Sequence, residues 1–170
     1  LEFFRVLEKR RSVREYSSKP VEEEKLARLL EAVNSAPSAG NLQAYKVYVV
    51  KDEKKRKALA EAALNQEFVA HAPICLVFFS DPRRSAIRYG ERGATLYCVQ
   101  DATIAATFAM LTAVALGLST VWVGAFDDEK VNEVLAVSGL RPVAILPIGY
   151  CLEEPPPTPR RPVWEIFELC

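Results

Sequence analysis

ATIAATFAMLTAVALGLSTVWVGAF, residues 102–126, decides how this chain folds, because its 25 positions pass without a charge. Such a run is long enough to span a bilayer. Its composition argues for another reading. Thr103, Thr107, Thr112, Ser119 and Thr120 interrupt it, and acidic residues flank it: Asp101 before, Asp127, Asp128 and Glu129 after. Basic anchors and an interfacial aromatic belt are missing. Gly117 divides an alanine-rich half from a β-branched half, Thr120-Val121-Trp122-Val123. We read a buried helix over residues 94–116, capped by Gly117, feeding a buried strand over 121–126, and no membrane span. A helix apolar almost all round needs cover on several sides or a second chain.

Working outward, residues 22–36 form a second helix, with Leu26, Leu29, Leu30 and Val33 at helical spacing and three glutamates behind Pro20. Residues 45–50 read as a strand, and 54–63 as a surface helix rich in Ala, Lys and Glu. The continuous apolar run 74–79 lies between Pro73 and Asp81-Pro82, as a strand buried on both faces requires. A helix around 129–136 and a strand over 143–148 follow. Paired strands separated by uneven helices predict a layered α+β domain. Five prolines between 153 and 162 can neither coil into a helix nor enter a sheet interior, so 155–170 is expected to leave the body as an extended arm.

Composition narrows the function. The 170 residues suit one domain, spanning 1–170, able to bury about 70% of its unfolded surface. Lys plus Arg and Asp plus Glu both number 22, which excludes a grossly basic nucleic-acid binder. Neutrality also removes one brake on self-association. Cys75, Cys98, Cys151 and Cys170 form no CxxC pair, and His71 is the single histidine, so no metal site is expected. Three of the four cysteines sit in apolar stretches, which predicts buried, inert, reduced thiols, and no secretory leader is legible, so a cytoplasmic location is expected. The sequence lacks GxGxxG, a GxxxxGK[ST] loop and a GxSxG nucleophile motif. His71 sits in an ordinary helix end and is not expected to be catalytic.

Four segments could carry chemistry, and each has a plainer reading. Lys9-Arg10-Arg11-Ser12-Val13-Arg14 could clamp a phosphate through forked guanidiniums and a hydroxyl, or simply complement a helix C-terminus. Ala36-Pro37-Ser38-Ala39-Gly40-Asn41-Leu42-Gln43 offers amides to the edge of a planar heterocycle, or is only a helix-to-strand loop. Trp122-Val123-Gly124-Ala125-Phe126 permits close backbone approach to a ligand, or is a tight strand end. Pro159-Arg160-Arg161-Pro162 puts two cations on a rigid tail, or is a solvated charge pair.

Together, and in this order, these segments resemble the FMN-dependent nitroreductase family: RRSVR at 10–14, APSAGNLQ at 36–43, LGLSTVWVGAF at 116–126, LPIGY at 146–150 and PRRP at 159–162. The resemblance implies an α+β layered fold, a central mostly antiparallel sheet flanked by helices, and an intertwined homodimer whose arms wrap the partner. It implies FMN as cofactor. Arg10, Arg11, Ser12 and Arg14 would hold the phosphate and ribityl chain, with Arg160 joining from the tail. Pro37, Ser38 and Asn41 would reach the flavin from the other subunit, and Gly124 and Ala125 would lie near N5. A phosphate monoester carries close to two charges, so a local arginine cluster is compatible with a neutral chain.

The implied activity is hydride transfer from NAD(P)H to quinone- or nitroaromatic-like acceptors, with the flavin supplying the redox chemistry. The same fold also hosts dehalogenation, azoline oxidation and flavin destruction. A flavin- or nucleotide-binding module without turnover is the alternative from another class. Three departures stand out, one being Thr158 at a position that is often basic, which weakens the tail's phosphate contact. Ala44-Tyr45 replaces a frequent Pro-Trp, and only residues 81–93 stand where many members carry a longer insertion.

Overall fold

The computed structural model describes residues 2–170. Seven helices, α1 (Phe3–Lys9), α2 (Glu23–Asn34), α3 (Glu53–Ala62), α4 (Phe68–His71), α5 (Pro82–Arg92), α6 (Cys98–Ala115) and α7 (Asp128–Leu135), surround four strands. The strands are β1 (Tyr45–Val50), β2 (Ile74–Ser80), β3 (Ser119–Thr120) and β4 (Arg141–Gly149), ordered β1-β2-β4-β3 with every ladder antiparallel. A π-helical turn, Gly93–Tyr97, leads into α6.

β2 is central, and all seven of its residues are buried. Its alternation divides the core into two layers. Ile74, Leu76 and Phe78 join Leu146 and Ile148 beneath α2 and α6, while Cys75, Val77 and Phe79 join Ile145 beneath α3, α4 and α7. The continuous apolar run thus reads correctly as a strand covered on both faces, although its neighbours run antiparallel. Burial pushes the Cys75 thiol up to about 12, which fits an inert core thiol.

The helix at 102–116 rests on its small residues. Ala102, Ala105, Ala106, Ala109 and Ala113 are buried, so the backbone lies close to the sheet and α2. Ile104, Phe108, Met110 and Leu116 pack against the same core but stay only partly covered, and α1 leans against α6 with Phe4 still 76% exposed. By length and composition the helical stretch Pro82–Ala115, α5 through α6, could cross a membrane, but 44% of its most apolar window is buried inside the fold. Leu118 N–H to Ala113 C=O (2.8 Å) and Gly117 N–H to Val114 C=O (3.0 Å) close it with the double bond of a Schellman cap.

The expected strand over 121–126 does not form there: the strand is Ser119–Thr120, just before it. Only Ser119 and Thr120 join the ladder, and pairing resumes at a single bridge, Val123 with Ile145. The register continues unbroken across the gap, placing Val121 opposite Pro147. Proline has no N–H to donate, so the ladder lapses there. α5 is the one helix of eight residues or more that the sequence reading left unassigned. Asp81 caps it by accepting from Arg84 N–H (3.1 Å), with Pro82 in the first turn.

Candidate functional site

Residues 10–17 run along the open side of β3. Ser12 bridges Thr120 in parallel, and Val13 N–H donates to the Thr120 carbonyl (3.2 Å). Val13 and Tyr16 are the buried pegs of this segment, and the Tyr16 hydroxyl donates to the Val13 carbonyl at 2.8 Å. Burial raises the Tyr16 phenol far above its ordinary range, so it serves as a neutral anchor. Further on, Ser17 N–H donates to Tyr150 C=O and Leu152 N–H to Glu15 C=O, tying the segment to the chain after β4.

This anchoring presents Ser12 and Arg14 at the surface and leaves several donors unmet. Arg10 and Arg14 have no carboxylate partner among the described residues. Arg11 donates through Nη1 to the carbonyls of Glu8 and Arg10, completing the end of α1, yet its Nε is buried without an acceptor. Arg11 therefore serves both readings, since it completes the helix end and still has a donor to give. The Thr120 hydroxyl is buried and unpartnered beside Ser12. Such a donor-rich surface without acceptors suits an oxyanion.

Gly124 and Ala125 link to that region indirectly. Arg14 lies over the Phe68 ring at 5.9 Å, and Gln66, two residues earlier, donates to the Ala125 carbonyl at 3.2 Å. A Cβ on Gly124 would fall 2.9 Å from Trp122 Nε1, so a side chain there would have to displace the indole. Arg160 stands apart. Its guanidinium bonds only Thr158 and Pro159, within its own arm.

Pro37, Ser38 and Asn41 lie elsewhere, at the N-terminal end of α6. The loop is held by Asp101, 2% exposed, whose carboxylate accepts from Ala39 N–H (2.9 Å) and Ala44 N–H (3.4 Å). Ser38 Oγ accepts from Gln43 N–H at 3.0 Å, and Gly40, Asn41 and Gln43 all adopt positive φ. A groove of about 540 Å³, lined by Pro37, Ser38, Val99, Asp101, Thr103 and Ile104, opens beside it. Sequence reasoning treated Asp101 as the edge of an apolar run. The available signal was an acid on a helix face otherwise built of small buried residues.

One chain therefore groups Arg10, Arg11, Ser12 and Arg14 beside Thr120, reaches Ala125 from there only by way of Phe68 and Gln66, and holds Pro37, Ser38 and Asn41 at the other end of α6. Asp101 and Gly117 mark the two ends, and the 16 residue steps from one to the other put them about 24 Å apart along the helix axis.

Comparison with known proteins matches the nitroreductase family model over residues 7–67 and 62–150. The chain is 32% identical to an NADH dehydrogenase of Thermus thermophilus, over 91% of this chain and 89% of that protein. It is also 32% identical to the FMN reductase [NAD(P)H] of Bacillus subtilis, over 95% of this chain and 70% of the relative. Among solved structures, the hypothetical oxidoreductase YcnD from Bacillus subtilis superposes with a TM-score of 0.91 at 30% identity, covering 98% of this chain and 73% of that one.

Proposed function

This chain belongs to the nitroreductase family, and from that premise we propose that it is an FMN-dependent oxidoreductase. It passes hydride from NAD(P)H to quinone- or nitroaromatic-like acceptors and works as a cytoplasmic homodimer. The observation that carries the reading is the division of the site. Unmet cationic donors sit at one end of α6 and the rigid amide loop at the other, farther apart than one flavin mononucleotide reaches. A second copy packed along α6 would bring one end against the other.

The donor chemistry fits the group. Arg10, Ser12 and Arg14 would hold the phosphate and ribityl chain, with the Arg11 Nε as a further donor and Arg160 reaching in from the arm. Gly124 and Ala125 would offer close backbone at the ring, and the partner's copy of the 37–41 loop would meet its edge. Bound FMN supplies the hydride chemistry, while the protein orients it and keeps water from the ring. Two further features support the dimer. Ile104, Phe108 and Met110 of α6 and the phenylalanines of α1 are incompletely covered. Residues 155–170 form an arm bearing Val163, Trp164, Ile166, Phe167 and Leu169, all exposed, with Trp164 at 79%. Buried Cys75 and Cys98 suit the cytoplasm, where thiols stay reduced.

The test is an absorption spectrum of the purified protein, mass identification of whatever denaturation releases, and NADH and NADPH oxidation over an acceptor panel. FMN at about one per chain with turnover supports the enzyme. Bound flavin that neither nucleotide reduces favours a binding module instead. A colourless protein that ignores added FMN ends the reading.

A further inference from the structure

Helix α5 belongs to neither half of the site, yet it is rich in arginine and sets Arg84 and Arg88 against the 37–42 loop. It carries Arg83, Arg84, Arg88 and Arg92, and none has a carboxylate partner among the described residues. Two of them are fixed without being neutralised. Arg88 lies over the Tyr89 ring, its Cζ 5.5 Å from the centroid. Arg92 lies over Tyr97 at 5.4 Å, and its Nε donates to the Tyr97 hydroxyl at 3.0 Å. An aromatic face holds a guanidinium and leaves its charge available.

The fold builds this rack. The chain reverses at Gly90 (φ 56°, ψ −139°), and a Cβ at Gly93 would stand 2.6 Å from the Ser85 carbonyl oxygen. That closeness folds α5 back and lets Tyr89 meet Tyr97 edge to face, with centroids 5.1 Å apart. The rack then abuts the loop. A Cβ at Gly40 would lie 2.5 Å from the Tyr89 hydroxyl and 3.0 Å from Arg88 Nη1, and Arg84 Nε donates to the Leu42 carbonyl.

We propose that Arg88, held on Tyr89 beside the 37–41 loop, and Arg92, held on Tyr97 of the same tyrosine pair, recognise a phosphate monoester carried by the molecule that exchanges hydride at the site. The inference rests on the oxidoreductase reading and narrows its substrates. A monoester carries nearly two charges at neutral pH, where a diester carries one, so it gains more from unpaired guanidiniums. Two redox partners bear such a group: NADPH, through its adenosine 2′-phosphate, and free flavin mononucleotide arriving as acceptor.

The test compares the FMN-loaded wild type with the Arg88→Gln/Arg92→Gln double variant. It reads kcat/KM for NADPH against NADH with a neutral quinone, and for FMN against riboflavin as acceptor. FMN retention is measured alongside, as is calorimetric titration with 2′-AMP and with adenosine. In the wild type one ratio should favour the phosphorylated partner by about 10- to 150-fold and approach unity in the double variant. Whichever ratio collapses identifies the source. Ratios near unity in the wild type, or a preference that survives the double substitution, overturn the proposal. Should the wild type hold no FMN or oxidise neither nucleotide, the function reading fails by itself. In that case tighter 2′-AMP than adenosine, lost in the variant, still upholds the arginine site, and equal binding overturns it.

Discussion

The two ends of α6 hold polar groups at the rim of the same apolar helix, and they do so in opposite ways. At the N-terminal end a buried carboxylate, Asp101, satisfies backbone N–H groups of the 37–44 loop, so that loop has its shape before any ligand arrives. At the C-terminal end the backbone is equally well pinned, by Thr120 and Tyr16, but the cations and hydroxyls are left without acceptors. One end uses its polar groups to fix its shape; the other leaves them open, as the proposed phosphate site requires. A change at the first should therefore appear in folding stability, and one at the second in cofactor affinity.

The strongest way to break this comparison is to prevent the ends from meeting. Deleting residues 155–170 is expected to turn a dimer into monomer by size-exclusion chromatography with light scattering, and to lower FMN affinity by more than about 100-fold, because each chain then offers only half a site. An intact, flavin-loaded dimer after the deletion would show that the arm contributes nothing to the assembly. Next in size is Asp101→Leu. It leaves two backbone N–H groups without their charged acceptor, at about 1.5–3 kcal/mol each, so a loss of about 3–6 kcal/mol in denaturant unfolding is expected. Asp101→Asn should recover part of it, since an amide oxygen can still accept one bond.

Arg10→Ala examines the other end. It should weaken FMN binding by about 10- to 150-fold, equivalent to about 1.5–3 kcal/mol, in fluorescence titrations. The apoprotein's unfolding midpoint should scarcely move. A large stability loss with unchanged flavin affinity would mean that the cation belongs to the helix end and not to a ligand. Measured together, Asp101→Leu and Arg10→Ala separate the shape-giving end of α6 from the binding end.

Legibility in the sequence followed the same division. Periodicity found β1 to the residue, β2 to within one position, and both principal helices, because burial on defined faces writes itself into apolar spacing. The unmet donors at 10–14 were legible as charge density. What stayed hidden depended on long-range pairing. The loss of the 121–126 strand follows from Pro147 standing opposite Val121, a register visible only after folding. Asp101 reads as the border of an apolar run until its partners, 62 and 57 residues earlier, are brought to it. Helix α5 did announce itself, through Asp81-Pro82 as cap and first turn, but the same pair also ends β2 and reads first as that boundary. Gly90 further disguised the segment by breaking its periodicity.

The smallest expected effect sharpens the account of the shape-giving end. Gly40 has φ +58°, a region that costs a residue with a Cβ roughly 1–2 kcal/mol. The added methyl would also meet the Tyr89 hydroxyl at 2.5 Å, so Gly40→Ala carries two penalties, one from backbone and one from contact. Tyr89→Phe removes the offending oxygen and leaves the backbone demand intact. Combined with Tyr89→Phe, Gly40→Ala should therefore cost about 1–2 kcal/mol, and with Tyr89 retained measurably more, the difference in the double-mutant cycle reporting the contact alone. Equal costs in both backgrounds would place the whole penalty in the turn and separate the loop from α5. A coupling would show that the loop is held from two sides, by the carboxylate of α6 beneath and by the tyrosine of α5 above.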